Sequence, residues 1–363
     1  MFLVRKISTE RGLKMTFVEL VDYAKREGAS DIHVTVGTNH AIRKYGELII
    51  LEPAPPQGEA IDMIFSCLND EQRSKITDGK DLDFALIMPD GTRLRTNIYH
   101  QRNNIAASFR ILQNRIPGFD ELGIPKSVQK LIDEPRGLIL FTGPTGSGKT
   151  TSLASMIDYV NKNKSKHVIT IEDPIEYVYY HEKSMIHQRE LGRDVESFAT
   201  ALHSALREDP DIILVGEMRD FETINAAMTA AETGHLVLST LHTSSAAQTI
   251  ERIIDAYPSH GQSQARTQLA TNLKGVITQV LVPSYEGEGM VMASEVLINN
   301  EAISNQIREN KTHQIASTIV SSVSQGMHTL NMDLRRLVRE QRITDADARR
   351  FATNIKEYES AKY

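Results

Sequence analysis

A chain of 363 residues is longer than one hydrophobic core usually organises, so two domains are expected. With 40% hydrophobic and 24% charged residues the composition excludes disordered and fibrous classes. The net charge of -6, with acidic and basic residues interleaved and no basic stripe, argues against a duplex nucleic-acid binder.

The single cysteine, Cys67, excludes an internal disulfide and any multi-thiolate metal site, and it reads as a buried apolar residue in a helix. No uncharged apolar run reaches the ~18 residues a bilayer span needs. Arg5, Lys6, Arg11 and Lys14 are not followed by an apolar stretch of signal-peptide length. The chain is therefore expected in the cytoplasm.

Residues 1–14 read as an extension. Phe17, Leu20, Val21 and Ala24 recur at helical spacing and stop at Gly28. Ile32, Val34 and Val36 alternate with Asp31, His33 and Thr35, the pattern of a half-buried strand. Strands are expected at 41–45, 47–51, 82–88, 92–99 and 105–112, with a helix over about 57–68. Hairpins with helices between them make 15–114 a small α+β domain. The Pro117-Gly118 pair closes the connection 113–118, and a second domain follows over 115–363.

There the texture changes. Apolar runs without alternation at 138–141, 168–171, 212–215 and 236–241 are separated by helical segments, as in a parallel sheet covered on both faces. Beyond about 262 the chain reads as mostly helical, broken by a hairpin-like stretch near Gly287-Glu288-Gly289.

Gly143-Pro144-Thr145-Gly146-Ser147-Gly148-Lys149-Thr150 matches the phosphate-binding pattern G-x-x-x-x-G-K-[ST] in full. Leu138–Phe141 supplies the incoming strand. Leu153, Met156, Ile157 and Val160 give the following helix, which also carries Thr151, its buried face. Glycines let backbone N–H groups close around phosphate oxygens, and the helix N-terminus adds favourable partial charge. Lys149 is expected at the β- and γ-phosphates of ATP, and the Thr150 hydroxyl on Mg²⁺.

Ile212–Val215 leads through Gly216 to Glu217, a carboxylate at a strand end that is suited to hold Mg²⁺ directly or through water. Val168–Ile171 leads to Glu172, Asp173 and Glu176. One of these three is expected to orient or deprotonate the attacking water, and spacing alone does not choose among them.

Several spaced motifs then agree in order: the phosphate loop, Ile171-Glu172-Asp173-Pro174-Ile175-Glu176, Ala205–Asp211 running into Gly216–Asp220, Thr229–His235, and Thr240-Leu241-His242-Thr243. Together with Gly28–His33 they resemble the secretion and pilus ATPases, the type II/IV secretion superfamily of hexameric motors, and within it the pilus-retraction branch. The likeness runs from about residue 15 to about 350.

The resemblance implies a PAS-like N-terminal α+β domain followed by a RecA-like P-loop ATPase domain with a helical C-terminal extension, an α/β class overall. It makes Glu176 the catalytic base and Glu217 the acid at the magnesium. It places His235 and His242 near the γ-phosphate or a subunit seam. Arg95 and Arg110 match arginines that the N-terminal domain donates to a nucleotide held by the other domain, often across a subunit boundary. A homo-hexamer is implied, peripheral at the inner face of the cytoplasmic membrane through an inner-membrane platform protein. Hydrolysis would then open and close the domain pair about 113–118, with no nucleic acid and no zinc involved.

One departure stands in the C-terminal half. The segment that begins Ala-Ile-Arg in the family reads Ala302-Ile303-Ser304 here, which weakens the inference to retraction. Relatives that extend fibres or secrete carry a tetracysteine zinc module that one cysteine cannot build, which points back to retraction. An assembly or secretion ATPase is the reading held beside it. A nucleic-acid translocase and an accessory subunit with little turnover are the readings from other classes. The first is opposed by the missing basic stripe, the second by intact Lys149, Glu176 and Glu217.

Overall fold

The computed structural model describes residues 5–8, 15–44, 46–112, 115–287 and 289–360. Part of the extension (1–4 and 9–14), Gln113 and Asn114 of the connection, and Glu288 of the expected hairpin lie outside the described residues. The chain divides into two compact units, with the division between Arg115 and Ile116.

Among the described residues, the first unit is one seven-stranded sheet with three helices. Its elements are β1 (Arg5–Ser8), α1 (Phe17–Arg26), β2 (Asp31–Thr35), β3 (Ala41–Lys44), β4 (Glu47–Glu52), α2 (Gln57–Ser66), α3 (Asp70–Thr77), β5 (Leu82–Ile87), β6 (Arg93–Gln101) and β7 (Asn104–Leu112). The strand order is β1-β4-β3-β2-β7-β6-β5, antiparallel except that β1 runs parallel to β4. The extension thus contributes a strand to the sheet edge, a role that no alternation over residues 1–14 announced.

Thr16 starts α1 with a reciprocal cap. Its hydroxyl accepts the Glu19 N–H, and the Glu19 carboxylate accepts the Thr16 N–H at 2.8 Å. Phe17, Leu20, Val21 and Ala24 then pack on the sheet among Ile32, Val34 and Phe109. Cys67 is the C-terminal cap of α2, half-buried rather than buried, with its Sγ directed to the Met63 carbonyl at 3.4 Å.

In the second unit come α4 (Phe119–Leu122), α5 (Lys126–Leu131), β8 (Gly137–Thr142), α6 (Lys149–Asn163), β9 (His167–Glu172), β10 (Met185–Glu190), α7 (Phe198–Ala205), β11 (Ile212–Val215), α8 (Phe221–Glu232), β12 (Leu236–Leu241), α9 (Ala246–Asp255), α10 (Gln262–Asn272), β13 (Leu273–Pro283), β14 (Met290–Ile298) and α11 (Glu301–Arg308). Then follow α12 (Ile315–Ser321), α13 (Leu330–Arg339), α14 (Asp345–Phe351) and α15 (Ile355–Ser360). The sheet order is β10-β9-β11-β12-β8-β13-β14, parallel throughout except for the β13–β14 hairpin.

β8 is buried along its whole length because both faces are covered. Leu138 and Leu140 pack with α7–α10, while Ile139 and Phe141 pack with Leu153, Met156 and Ile157 of α6. Each such side chain stabilises the unit by roughly 1.5–3 kcal/mol through burial.

After 262 the chain is mostly helical and broken by one hairpin that turns near Gly287, as expected; what the sequence did not convey is how long that hairpin is and that it joins the sheet. Two long strands, β13 and β14, extend the ATPase sheet, and the helical extension begins only at α11. Helices α13–α15 then cover Val282, Val291 and Ala293 of that hairpin with Leu334, Leu337 and Tyr358.

Candidate nucleotide site

The sheet places its functional groups at the carboxyl ends of neighbouring parallel strands, where α/β sheets bind ligands. Thr142 ends β8 and the phosphate loop follows at once, turning into α6 at Lys149. Gly143 (φ +135°) runs so close to β13 that a Cβ there would collide with the Gln279 carbonyl and the Ser147 hydroxyl. Gly148 (φ +88°) opens α6 from the left-handed region, which a side chain rarely adopts.

Lys149 is 8% exposed, and its Nζ donates to the carbonyls of Gly143 at 2.8 Å and Pro144 at 2.9 Å. Burial pulls its pKa below the usual lysine value, while the carboxylates of Glu217 and Glu176 pull it back up. The two acids therefore act electrostatically on the P-loop cation. Pro144, Thr145 and Gly146 form the exposed lip of the loop; Thr150 and Thr151 are half-buried on the first turn of α6.

Glu217 lies in the turn after β11. Thr240 holds that turn to β12, donating its hydroxyl to the Gly216 carbonyl at 2.6 Å and accepting the Met218 N–H on its own carbonyl at 3.1 Å. The Glu217 side chain is 14% exposed; Oε1 pairs with Arg219 at 2.5 Å, and the His242 ring nitrogen stands 3.5 Å from Oε2.

Oε2 of Glu217 and Oγ of Ser147 are buried without a hydrogen-bond partner among the described residues. Two orphaned oxygens beside a buried lysine, around a loop with no room for a Cβ, fit a phosphate with a hard cation on it. No group of three His, Cys, Asp or Glu side chains able to hold a metal exists among the described residues. A magnesium ion bound mainly through substrate phosphates does not require one.

The three candidate carboxylates at and after the end of β9 separate by environment. Glu172 is buried; Asp173 is exposed; Glu176 is half-buried and near enough to Lys149 to influence it. Tyr177 ties this loop to α6 through a 3.1 Å hydrogen bond between its hydroxyl and that of Thr151.

His242 follows the carboxyl end of β12, beside Glu217, whereas His235 precedes the amino end of the same strand. His235 accepts the Gly137 N–H on its carbonyl at 3.0 Å, and its Nδ1 donates to the Ala230 carbonyl at 3.0 Å. Within one chain, then, His235 stands at the far end of β8 from the phosphate loop, not near the γ-phosphate.

Arg95 and Arg110 belong to the first unit. They are direct cross-strand partners on β6 and β7, pairing with Asp83 at 3.1 Å and Asp31 at 2.9 Å respectively. Sequence reasoning passed over Gln188, Glu190 and Gln279. The first two lie on an edge strand too polar to stand out, and Gln279 is a buried amide on a strand whose extent the sequence did not define.

A P-loop between a buried strand and its helix, with acids at the ends of the neighbouring parallel strands, defines a RecA-like ATPase. The model of the type II/IV secretion system protein family matches residues 10–358. The type IV pilus retraction ATPase PilT of Pseudomonas aeruginosa is 44% identical over 336 residues, covering 92% of this chain and 97% of that protein. A twitching motility protein of Neisseria gonorrhoeae is 46% identical over 314 residues, covering 86% of this chain and 84% of its own length. The crystal structure of the pilus retraction motor PilT with bound ADP superposes with a TM-score of 0.87 at 46% identity, covering 95% of this chain and 99% of that one. The chain belongs to the type II/IV secretion system protein family, and it is a nucleotide-binding ATPase.

Proposed function

We propose that this protein is the hexameric motor that hydrolyses Mg-ATP to retract type IV pili, working through an inner-membrane platform protein. The observation that carries the reading is the near full-length likeness to pilus retraction ATPases together with an intact Lys149, Glu176 and Glu217. Among the described residues no helix is long and apolar enough to cross a membrane.

The P-loop amides and Lys149 hold the β- and γ-phosphates, and Glu176 takes the proton of the attacking water. The water oxygen bonds to the γ-phosphorus as the bond to the bridging oxygen breaks, and ADP departs with that electron pair. Thr150 and Glu217 would hold Mg²⁺, which would supply charge neutralisation at the phosphates. His242 orients Glu217. Arg95 and Arg110 act on the nucleotide of a neighbouring subunit, where such a cation stabilises transition-state charge. His235 serves a subunit seam. Domain movement about the 113–118 connection transmits the work.

Fibre extension is the second reading, and Ser304 is the observation on its side. Its hydroxyl lies 2.9 Å from the Ala270 carbonyl and 3.1 Å from Asn299 Oδ1, docking α11 on α10 at the place where the sequence departs from the Ala-Ile-Arg pattern of the family it resembles. Counting surface pili in cells lacking the gene separates the two. Retraction predicts excess pili with lost twitching; bald cells would mean that the protein builds them.

A further inference from the structure

Glu172 ends β9 as a buried carboxyl outside the machinery described so far. Its Oε1 accepts the Thr170 hydroxyl at 2.6 Å and the Gln188 amide at 3.2 Å, and the backbone N–H of Glu176 donates to the same carboxyl. Gln188, on the edge strand β10, also donates to the Tyr177 carbonyl at 2.7 Å and accepts the Tyr179 N–H at 2.9 Å. Two residues on, Glu190 Oε2 accepts the Ile175 N–H at 3.2 Å. The loop that carries Glu176 thus has the N–H groups of residues 175, 176 and 179 held by side chains of β9 and β10.

We propose that Glu172 is the positioning residue for Glu176, and that its carboxyl, braced by Gln188, fixes the loop that aims the Glu176 side chain at the P-loop. This rests on the reading of Glu176 as the base. A mere spacer at this place needs no acid, because burying a carboxylate is costly unless donors surround it. Here three donors converge, and each requires an acceptor. The ionised carboxyl meets all of them, whereas a protonated one has a hydrogen to place and holds the Glu176 N–H less well.

Burial pushes the Glu172 pKa up to about 7, with the Glu176 carboxylate adding to the rise and the Thr170, Gln188 and Glu176 backbone donors opposing it. The other titratable neighbours on the packed elements are Tyr179, which is raised by its own burial, and Glu190 on β10. The clamp accordingly tightens as pH rises through neutrality.

The test is steady-state ATP turnover of the full-length oligomer at saturating Mg-ATP from pH 6 to 9, for the natural protein and Glu172→Gln, with ADP affinity measured alongside. The amide replacement turns an N–H₂ toward at least one donor and does not titrate. The expected result is a kcat lowered about ten- to hundredfold at pH 8, ADP affinity within about threefold, and loss of the limb near pH 7. A folded variant with natural kcat and pH profile overturns the proposal, as does a loss of ADP binding in step with kcat.

Should Glu172→Gln not fold, Gln188→Met, at a half-buried edge position, must show the same selective loss of kcat, and natural turnover there overturns the proposal. Glu176→Gln is run in parallel. If it turns over ATP at the natural rate, the reading of Glu176 as base fails and this proposal with it. If it is inactive while Glu172→Gln is unaffected, the positioning role alone fails.

Discussion

Replacing Gly143 with alanine puts a Cβ where the structure has no space for one. The new atom would lie 2.8 Å from the Ser147 hydroxyl and closer still to the Gln279 carbonyl, at a φ of +135°. That backbone conformation costs a non-glycine residue on the order of 1–3 kcal/mol. Overpacking against a neighbour that cannot yield adds roughly 1–3 kcal/mol. β13 is such a neighbour, since it is bonded to β8 on one side and β14 on the other. Relief therefore comes from the P-loop, which moves away from β13 and carries its amides off the phosphate positions. If about 2 kcal/mol of the strain appears in binding, the Kd for ADP rises about thirtyfold. Equilibrium binding of a fluorescent ADP analogue to Gly143→Ala, with circular dichroism to verify folding, reads this directly. A folded variant that binds within about threefold of the natural protein would refute the close approach of the loop to β13.

Further expectations follow from other parts of the molecule. Arg95→Ala should lower ATP turnover of the assembled oligomer by about 10³ or more, while the lost pairing with half-exposed Asp83 costs stability less than about 1 kcal/mol; unchanged turnover removes Arg95 from the site. Glu172, with its folded pKa raised from 4.5 to about 7, contributes stability that is fully present below about pH 4.5 and lost as pH rises through about 7. Relative to Glu172→Gln, the natural protein should lose roughly 3 kcal/mol of stability across that window, and parallel melting curves of the two proteins from pH 5 to 8 would contradict this. Light scattering with ATP present should give a hexamer, and a stable monomer counts against the assembled motor.

The parts of this molecule that could be read in the sequence are those whose signals are local. The P-loop is contiguous, and the run Leu138–Phe141 is apolar because both of its faces are covered. The hairpin near Gly287 was legible but the length of β13 was not, because Lys274, Thr278 and Gln279 interrupt its apolar residues, and Gln279 is buried against α6 through a hydrogen bond to Ser152 at 2.8 Å, a contact that no local pattern encodes. β10 is an edge strand whose outward residues Met185, His187 and Arg189 need not be apolar.

The histidines carry a different lesson. Seven residues of extended chain span about 23 Å, so His235 and His242, flanking one strand, could not both approach a single phosphate of their own subunit. Of the acids at and after the end of β9, the sequence offered three equal candidates. Burial distinguishes Glu172 from the others, but the Gln188 clamp depends on pairing between β9 and a strand that was not foreseen.

The most direct test of the account is complementation of a deletion strain with Glu176→Gln, with pilus length followed on living cells by fluorescence. A protein that binds ADP normally yet leaves the cells with excess pili that never shorten is the predicted result. Restored retraction by Glu176→Gln would contradict the claim that hydrolysis at this site powers the fibre's withdrawal.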